Sequence, residues 1–351
     1  MCGYHIMWEV HSMENGAIKP RSASIDLFRY ICAILVVAIH TRPFGDFSDT
    51  LGFFFCQILT RIAVPYFFTV AGYFYIAKLE KGEKPFSKYI KRLLTTYILW
   101  SVIYYGYKIL TEGMPSIKNF IYTFFINGSS YHLWFFPAII FSVCLTTFLY
   151  KIKCTKVLIP LAVVLYTVGC LGCSWYAIGE KIPLLNKLYS FFLFTDIRRI
   201  LFMGFPFFVA GGVVLKVREK VLHGLNKKTS FVYVLFAVIV FLAEIAVVIK
   251  YNLQRTVVIT FGLYLLVILI VLLLLKYPMP KLSHFSGKAK VYANFTYYAH
   301  PLILNLIRGV AGSMAISVTE TFMFAITIAI TCVIGIVIFK LNNKTINYFV
   351  N

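Results

Sequence analysis

Long apolar stretches without a charged residue recur along this chain and constrain its fold more than any other feature. Several of them reach the roughly 20 residues that a helix needs to cross about 30 Å of hydrocarbon. The chain of 351 residues is 60% hydrophobic and only 13% charged, a composition that excludes most soluble enzymes. The stretches are also longer than the strands of a membrane barrel. The sequence therefore predicts an all-α integral membrane protein.

Breaks at charged residues, glycine, proline and asparagine divide the chain into about ten transmembrane helices. The predicted spans lie near residues 25–42, 51–77, 88–110, 131–150, 157–173, 199–216, 230–250, 256–275, 291–310 and 320–340. With the N-terminus inside, 22 basic residues fall on the cytoplasmic side and 10 on the outer side. This bias predicts that both termini are cytoplasmic and explains the net charge of +21 without nucleic acid.

The spans are predicted to form one domain. Residues 1–24 are predicted to be a cytoplasmic leader, residues 25–340 the ten-helix transmembrane domain and residues 341–351 a cytoplasmic tail. Prolines fall inside the second, fourth, sixth and ninth spans, where each removes a backbone donor. Broken membrane helices commonly line a cavity. We therefore expect these four spans and the first to surround the functional site, although simple helix bending is the alternative.

The first span carries the clearest candidate residues. Arg29 and His40 are eleven residues apart, which places them on one helix face about 16 Å apart along the axis. Asp26 lies one turn before Arg29 and can pair with it. A guanidinium near the inner surface and a deep imidazole on one stripe indicate function. The alternative is that Arg29 reaches the headgroups and that His40 caps the outer helix end.

Other ionisable residues lie at depths where they are costly unless paired or hydrated. Arg61 in the second span is expected to face an interior cavity, and His300 brings a second imidazole to mid-membrane depth. His132 and Trp134 lie at the outer mouth of the fourth span, where interfacial anchoring and substrate contact are equal alternatives. Arg198 and Arg199 at the outer entrance of the sixth span could hold a carboxylate or phosphate, or contact lipid.

Two chemistries fit these residues, and both need a wet cavity. One is acyl transfer, with His40 as general base and Arg29 holding an anionic acyl-CoA donor from the cytoplasm. The other is movement of a small amino acid, with arginines receiving its carboxylate. The sequence has no metal-ligand spacing, no phosphate-binding loop and no glycine-rich dinucleotide turn. We therefore expect no metal and no cofactor beyond a possible acyl-CoA donor.

The chain resembles the acyltransferase 3 family over nearly its whole length. The resemblance rests on Ile25-Asp26-x-x-Arg29, on Arg29-x10-His40, on the stretch from Val64-Pro65 to Gly72-Tyr73-Phe74, and on Tyr298-x-His300-Pro301. It implies a ten-helix bundle in a bacterial plasma membrane, with His40 as the catalytic and Arg29 as the donor-binding position. We also expect His300 to be catalytic. Ala71 stands where the family often has serine, so a hydroxyl there is not essential.

A narrower resemblance is to the membrane half of the membrane-bound serine racemases of vancomycin resistance. It is carried by VVAIH at 36–40, RIAVPYFF at 61–68, YHLWFFPAII at 131–140 and HPLILNLIRG at 300–309. It implies that the bundle supplies L-serine, or a similar small amino acid, to a cytoplasmic racemase that uses pyridoxal phosphate. The D-serine product would enter modified peptidoglycan precursors. That racemase would be a fused or associated partner, and this chain would correspond to the membrane domain alone.

Overall fold

The fold is all-helical wherever the structure describes it. The structure is a computed structural model, and it describes residues 22–191, 198–224 and 226–341. No strand occurs in these three ranges, which confirms the predicted all-α class. Most of the predicted leader and tail lies outside the described residues.

Fourteen α-helices follow one another along the described chain. The first seven are α1 (Ala23–Thr41), α2 (Asp49–Phe53), α3 (Ala63–Glu80), α4 (Phe86–Glu112), α5 (Ile117–Tyr122), α6 (Phe135–Lys151) and α7 (Leu158–Leu171). The others are α8 (Tyr176–Gly179), α9 (Pro183–Phe191), α10 (Phe205–Gly224), α11 (Lys227–Lys250), α12 (Phe261–Lys276), α13 (Ser283–Ser313) and α14 (Glu320–Leu341).

Each predicted span coincides with a helical segment, but fewer of them have the length and hydropathy of a membrane crossing. Within the described ranges, five helical segments are long and apolar enough, or six if α12 and α13 count as one span bent by 85°. α6 and α7 are apolar but shorter. Ten crossings and cytoplasmic termini therefore stay predictions, while the presence of several apolar helices is confirmed.

Irregular helical turns precede several of these helices. Wider π-helical turns cover Phe54–Ile58, Thr123–Asn127 and Arg198–Gly204, and a tighter 3-10 turn covers Leu59–Ile62. Pro65, Pro137 and Pro206 lie among the first three residues of α3, α6 and α10. Of the prolines in the described ranges, only Pro301 stands well inside a helix, α13. The prolines thus mostly mark where helices restart after an irregular turn.

Helices α1 and α13 run parallel and in register along their length. Near the start of α1, the Ser286 hydroxyl donates to the Asp26 carboxylate. Fourteen residues further along each helix, the rings of His40 and His300 stack with centroids 5.4 Å apart. This register brings the two deep imidazoles together, and it fixes the start of α1 through the buried Asp26.

Candidate functional site

A cavity opens at the end of the bundle where α1 begins, the end that the charge bias predicts to be cytoplasmic. It encloses about 750 Å³ of empty space, part of it open to solvent. We call it the inner cavity. Helices α1, α3, α4, α6 and α13 line it through Arg29, Phe67, Ala71, Phe74, Tyr89, Arg92, Leu93, Thr96, Phe135, Phe136, Ile139, Lys290, Ala293, Asn294, Tyr297 and Tyr298.

Three cationic side chains line the inner cavity, each from a different helix. Arg29 comes from α1, Arg92 from α4 and Lys290 from α13. Arg29 is fixed by its ion pair with Asp26, whose Oδ1 lies 3.0 Å from Nη1. The Arg92 guanidinium lies 5.0 Å from the centroid of the Tyr89 ring. Lys290 is only 3% exposed, so its ammonium faces the cavity rather than bulk water.

Aromatic rings close the deep end of the inner cavity. Phe67, Phe135 and Tyr297 contact one another edge to face, with ring centroids 5.8 to 6.4 Å apart. We call these three residues the aromatic layer. The Tyr297 ring also lies 5.7 Å from the ring of His132, on the far side from the cavity. His40 does not line the inner cavity, so the expected single vestibule holding both Arg29 and His40 is divided by this layer.

Three histidines meet beyond the aromatic layer, and we call them the histidine cluster. His300 stacks on His40, and the ring of His132 meets His300 edge on at 5.2 Å. His132 and His300 are 2% and 0% exposed, whereas His40 is half-buried and packs at 4.6 Å against Tyr131. His40 is therefore the member of the cluster with the most exposed side chain.

The two buried imidazoles have assigned tautomers because a carbonyl oxygen can only accept. His300 Nδ1 lies 2.9 Å from the Thr296 oxygen, and His132 Nε2 lies 3.2 Å from the Tyr298 oxygen. These nitrogens must therefore carry the protons if the rings are neutral. The other nitrogens, His300 Nε2 and His132 Nδ1, have no hydrogen-bond partner in the described ranges. Each presents a buried lone pair.

Three arginines from different parts of the fold surround the outer end of α1, and we call Arg61, Arg199 and Arg308 the outer arginines. All three lie close enough to His40 to act on it electrostatically. Arg308 Nη2 donates to the His40 carbonyl oxygen at 3.3 Å. Arg61 lies in the 3-10 turn before α3, and Arg199 in the π-helical turn before α10. The irregular turns thus carry cations toward the histidines.

The polar partners of two outer arginines also come from π-helical turns. Arg61 Nε donates to the Gln57 carbonyl oxygen at 3.1 Å, and a second nitrogen donates to the Gln57 side chain. Arg199 Nη1 donates to Asn127 Oδ1 at 3.0 Å, and its guanidinium lies 5.8 Å from the Trp134 ring. Such turns are frequent at functional sites, and here they orient the two guanidinium groups.

The predicted site residues separate into two groups. Arg29 lines the inner cavity, and Asp26 holds it from a buried position. His40, His132 and His300 form the cluster, near Arg61. Trp134 packs on Phe68 beneath Arg199. The side chain of Arg198 lies outside the described part of the structure. No group of three metal-binding side chains is placed to hold an ion within the described ranges.

Several lining residues were missed by sequence reasoning. In the sequence, Arg92 and Lys290 were only two of the basic residues assigned to the cytoplasmic side, and Asn294 was not singled out. The helix containing Arg92, α4, has no proline, yet it lines the inner cavity where the proline-containing sixth span does not. The expectation from the prolines did not include α4, which lines the cavity without a proline. The sixth span contributes instead through Arg199.

One protein family matches most of the chain. Residues 22–340 match the acyltransferase domain family known as acyltransferase 3. The chain belongs to this family. No solved structure matches it significantly.

Curated relatives include proteins named as racemases. An amino-acid racemase from Enterococcus faecalis is 30% identical over 343 residues, which cover 93% of this chain and 47% of the relative. A serine/alanine racemase from Enterococcus gallinarum is 32% identical over 228 residues, or 60% of this chain and 31% of the relative. The chain thus spans about half the length of the first relative. The resemblance to membrane-bound racemases is confirmed.

Proposed function

We propose that the protein is an acyl-CoA-dependent O-acyltransferase that takes its donor from the inner cavity and modifies a hydroxyl at the cell envelope. The observation that carries the proposal is the convergence of Arg29, Arg92 and Lys290 on one cavity. Coenzyme A is a polyanion, and guanidinium and ammonium groups bind phosphate through charge-assisted hydrogen bonds.

The histidine cluster would supply the proton transfer. The acceptor hydroxyl oxygen attacks the carbonyl carbon of the thioester, and the imidazole of His40 takes the hydroxyl proton. The carbon–sulfur bond breaks, and the thiolate of coenzyme A leaves and recovers a proton. His300 stacks on His40 and holds it in place. The thioester must pass the aromatic layer to reach this point, so Phe67, Phe135 and Tyr297 would separate around the acyl arm.

Binding of acetyl-CoA to the purified protein in nanodiscs tests the donor site. We expect Arg92→Gln and Lys290→Gln each to raise the Kd at least tenfold, since a hydrogen bond to a charged group contributes about 1.5–3 kcal/mol. Lys91→Gln is the matched control, because Lys91 is exposed beside Arg92 on the same helix. Its Kd should stay within about twofold. Equal effects of the control and cavity variants would contradict the donor site.

A second candidate function is favoured by the relatives. Both have names that include racemase, and one is a serine/alanine racemase. In this alternative the bundle supplies L-serine, or a similar small amino acid, to a cytoplasmic racemase carrying pyridoxal phosphate, which makes D-serine for modified peptidoglycan in glycopeptide resistance. Uptake of labelled L-serine into proteoliposomes separates the two. Saturable uptake without acetyl-CoA would favour supply, and acetyl-CoA consumption lost in His40→Ala would favour acyl transfer.

A further inference from the structure

The part of the inner cavity next to the aromatic layer is lined by aliphatic side chains. Each helix that supplies a ring to the layer also supplies one aliphatic residue to the cavity wall, four positions away from that ring. These residues are Ala71 in α3, Ile139 in α6 and Ala293 in α13, next to Phe67, Phe135 and Tyr297 respectively. We call Ala71, Ile139 and Ala293 the aliphatic level.

The directions of the three helices place the aliphatic level on the inner side of the layer. α3 and α6 run side by side toward the inner end. Near their starts, the rings of Phe68 and Phe135 lie 4.5 Å apart between centroids, and at their ends the Tyr150 hydroxyl donates to the Glu80 carboxylate. α13 runs the opposite way, parallel to α1. The aliphatic level therefore lies about one helical turn, or about 5.4 Å, inward of the rings.

Alanine at two positions of this level leaves a space between α3 and α13. In the aromatic layer, the rings of Phe67 and Tyr297 reach across between these two helices and meet with centroids 5.8 Å apart. One turn inward, Ala71 and Ala293 present only methyl groups from the same helix faces. Both line the inner cavity, and Ala71 is half-buried rather than packed away. The unfilled space is therefore the deep end of the cavity.

The distance from the cations to this space suits the donor. Arg29 is paired with Asp26, and Asp26 is level with Ser286 through the hydrogen bond between them. Tyr297 lies eleven residues after Ser286, so the layer is about 16 Å from that level along the axis. The pantetheine arm of a coenzyme A molecule whose phosphates lie near Arg29 would extend along this length. Its acyl end would then reach the aliphatic level.

We propose that the space at the aliphatic level is the acyl pocket of the donor site, that it selects an uncharged acyl group of about four carbons or fewer, and that Ala71 sets its width. The inference rests on the proposed acyl transfer. One helical turn of about 5.4 Å has room for about four carbons joined by bonds of about 1.5 Å. The aromatic layer ends the pocket. Its aliphatic walls disfavour a charged acyl group, because an unpaired charge is costly to bury.

Binding of free coenzyme A and its thioesters to the whole chain in nanodiscs tests the pocket, with empty nanodiscs as the correction for partition into lipid. Butyryl and succinyl groups both have four carbons, and only the succinyl group ends in a carboxylate. Octanoyl is uncharged but twice as long. Because each buried CH₂ raises affinity about fourfold, we expect butyryl-CoA to bind at least tenfold more tightly than free coenzyme A, succinyl-CoA and octanoyl-CoA. Smaller differences, or the reverse order, would overturn the proposal.

Ala71→Leu locates the pocket, since leucine would fill the space that the acyl group needs. It should weaken butyryl-CoA binding at least tenfold and change the Kd of free coenzyme A, which has no acyl group, by less than twofold. Ala311→Leu is the matched control, because Ala311 is half-buried near the end of α13 and does not line the cavity. Equal losses of coenzyme A and butyryl-CoA in Ala71→Leu, or the same selective loss in Ala311→Leu, would overturn the role of Ala71.

The donor site and the acyl pocket fail in different ways. If the wild type does not bind free coenzyme A, the proposed function and the pocket are both contradicted. If it binds coenzyme A but does not discriminate among the thioesters, only the pocket is contradicted.

Discussion

Single residues decide what the histidine cluster can do. Hydrogen bonds to the Thr296 and Tyr298 carbonyl oxygens fix which nitrogen of His300 and His132 carries the proton. An imidazole whose tautomer is fixed offers its other nitrogen as a base or acceptor without first reorganising. His40 alone is accessible enough to exchange protons with a ligand. The cluster therefore combines one reachable imidazole with two buried ones that support it.

His300→Phe tests this division of roles. Phenylalanine keeps a ring that can stack on His40 but removes both nitrogens, so we expect acyl transfer to fall by about 100-fold or more, the range typical of a lost proton-transfer group. The Kd for acetyl-CoA should not change, because His300 does not line the inner cavity. His284→Phe is the control, since His284 is exposed at the other end of α13. Full activity of His300→Phe would show that the cluster needs only His40.

The sequence identified some of these residues and missed others for a physical reason. Ionisable groups deep in an apolar run stand out because burial is costly, and this criterion found Arg29, Arg61, His40 and His300. Arg92 and Lys290 lie nearer the ends of their helices, where cations are common. Only the packing of α4 and α13 against α1 shows that they face the cavity, and this packing is not visible in one sequence.

At the scale of elements, close helix contacts depend on glycine at two positions. A Cβ on Gly72 of α3 would collide with the backbone oxygen of Phe208 in α10, and a Cβ on Gly211 of α10 would collide with the backbone of Thr69 and Tyr73. The two backbones therefore touch through reciprocal glycines, as small residues allow in membrane helices. Since α3 contributes Phe67 to the aromatic layer, this contact also positions the site.

Gly72→Ala is expected to destabilise the protein strongly because the obstructing atoms belong to backbone and cannot rotate away. Overpacking of this kind costs about 1–3 kcal/mol. Gly106→Ala is the matched control in α4, where an added Cβ meets nothing within 4 Å, and it should be neutral or stabilising by up to about 1 kcal/mol. Thermal unfolding in detergent measures both. Equal unfolding midpoints for the two variants would contradict the close contact.

The loop after α1 is tied to the start of α14 by one carboxylate. Asp46 accepts hydrogen bonds from the backbone N–H groups of Glu320 and Thr321, at 2.8 and 2.7 Å. These are donors that a helix start leaves without intrahelical partners. Hydrogen bonds from Thr321, and then from Glu320, hold the pKa of Asp46 below its usual value of 3.8. Its ionised form is therefore favoured in the folded state.

This pKa shift predicts a pH dependence with a definite sign. Because the folded pKa is depressed, the stabilisation is complete above the unfolded pKa of 3.8 and is lost as the pH falls through the folded value. Hydrogen exchange protection of the Glu320 and Thr321 amides should fall over that acidic range, after correction for intrinsic rates. In Asp46→Ala it should already be low at neutral pH. Equal protection in the variant and the wild type at pH 7 would contradict the role of Asp46 as the acceptor for these two amides.

The element pattern was largely predictable, whereas its irregular turns were not. Helices occur where apolar runs predict them because a span must satisfy its own backbone hydrogen bonds. Prolines indicated breaks in the correct spans, but Pro65, Pro137 and Pro206 lie just after the irregular turns or loop rather than within a kinked helix. Such turns depend on the side chains that pack around them, including the Gln57 and Asn127 contacts, and one-dimensional periodicity does not contain that information.

At the scale of the whole molecule, the bundle has a site with two sides. Arg29, Arg92 and Lys290 line the inner cavity on one side. The outer arginines lie near the histidines on the other side of the aromatic layer. The eleven-residue spacing of Arg29 and His40 predicted that both lie on one face of α1, and α1 contributes to each side of the site. It could not predict the layer between them, because Phe67, Phe135 and Tyr297 come from three other helices.

Sided membrane vesicles test whether donor and acceptor meet from opposite ends of one bundle. Transfer of labelled acetyl from acetyl-CoA to a hydroxylated acceptor would be measured in right-side-out and inverted vesicles, with each compound supplied on one known side. We predict transfer only when acetyl-CoA is on the side where α1 begins and the acceptor is on the other, and none in His40→Ala. Transfer with both compounds confined to one side, or undiminished transfer in His40→Ala, would contradict the account.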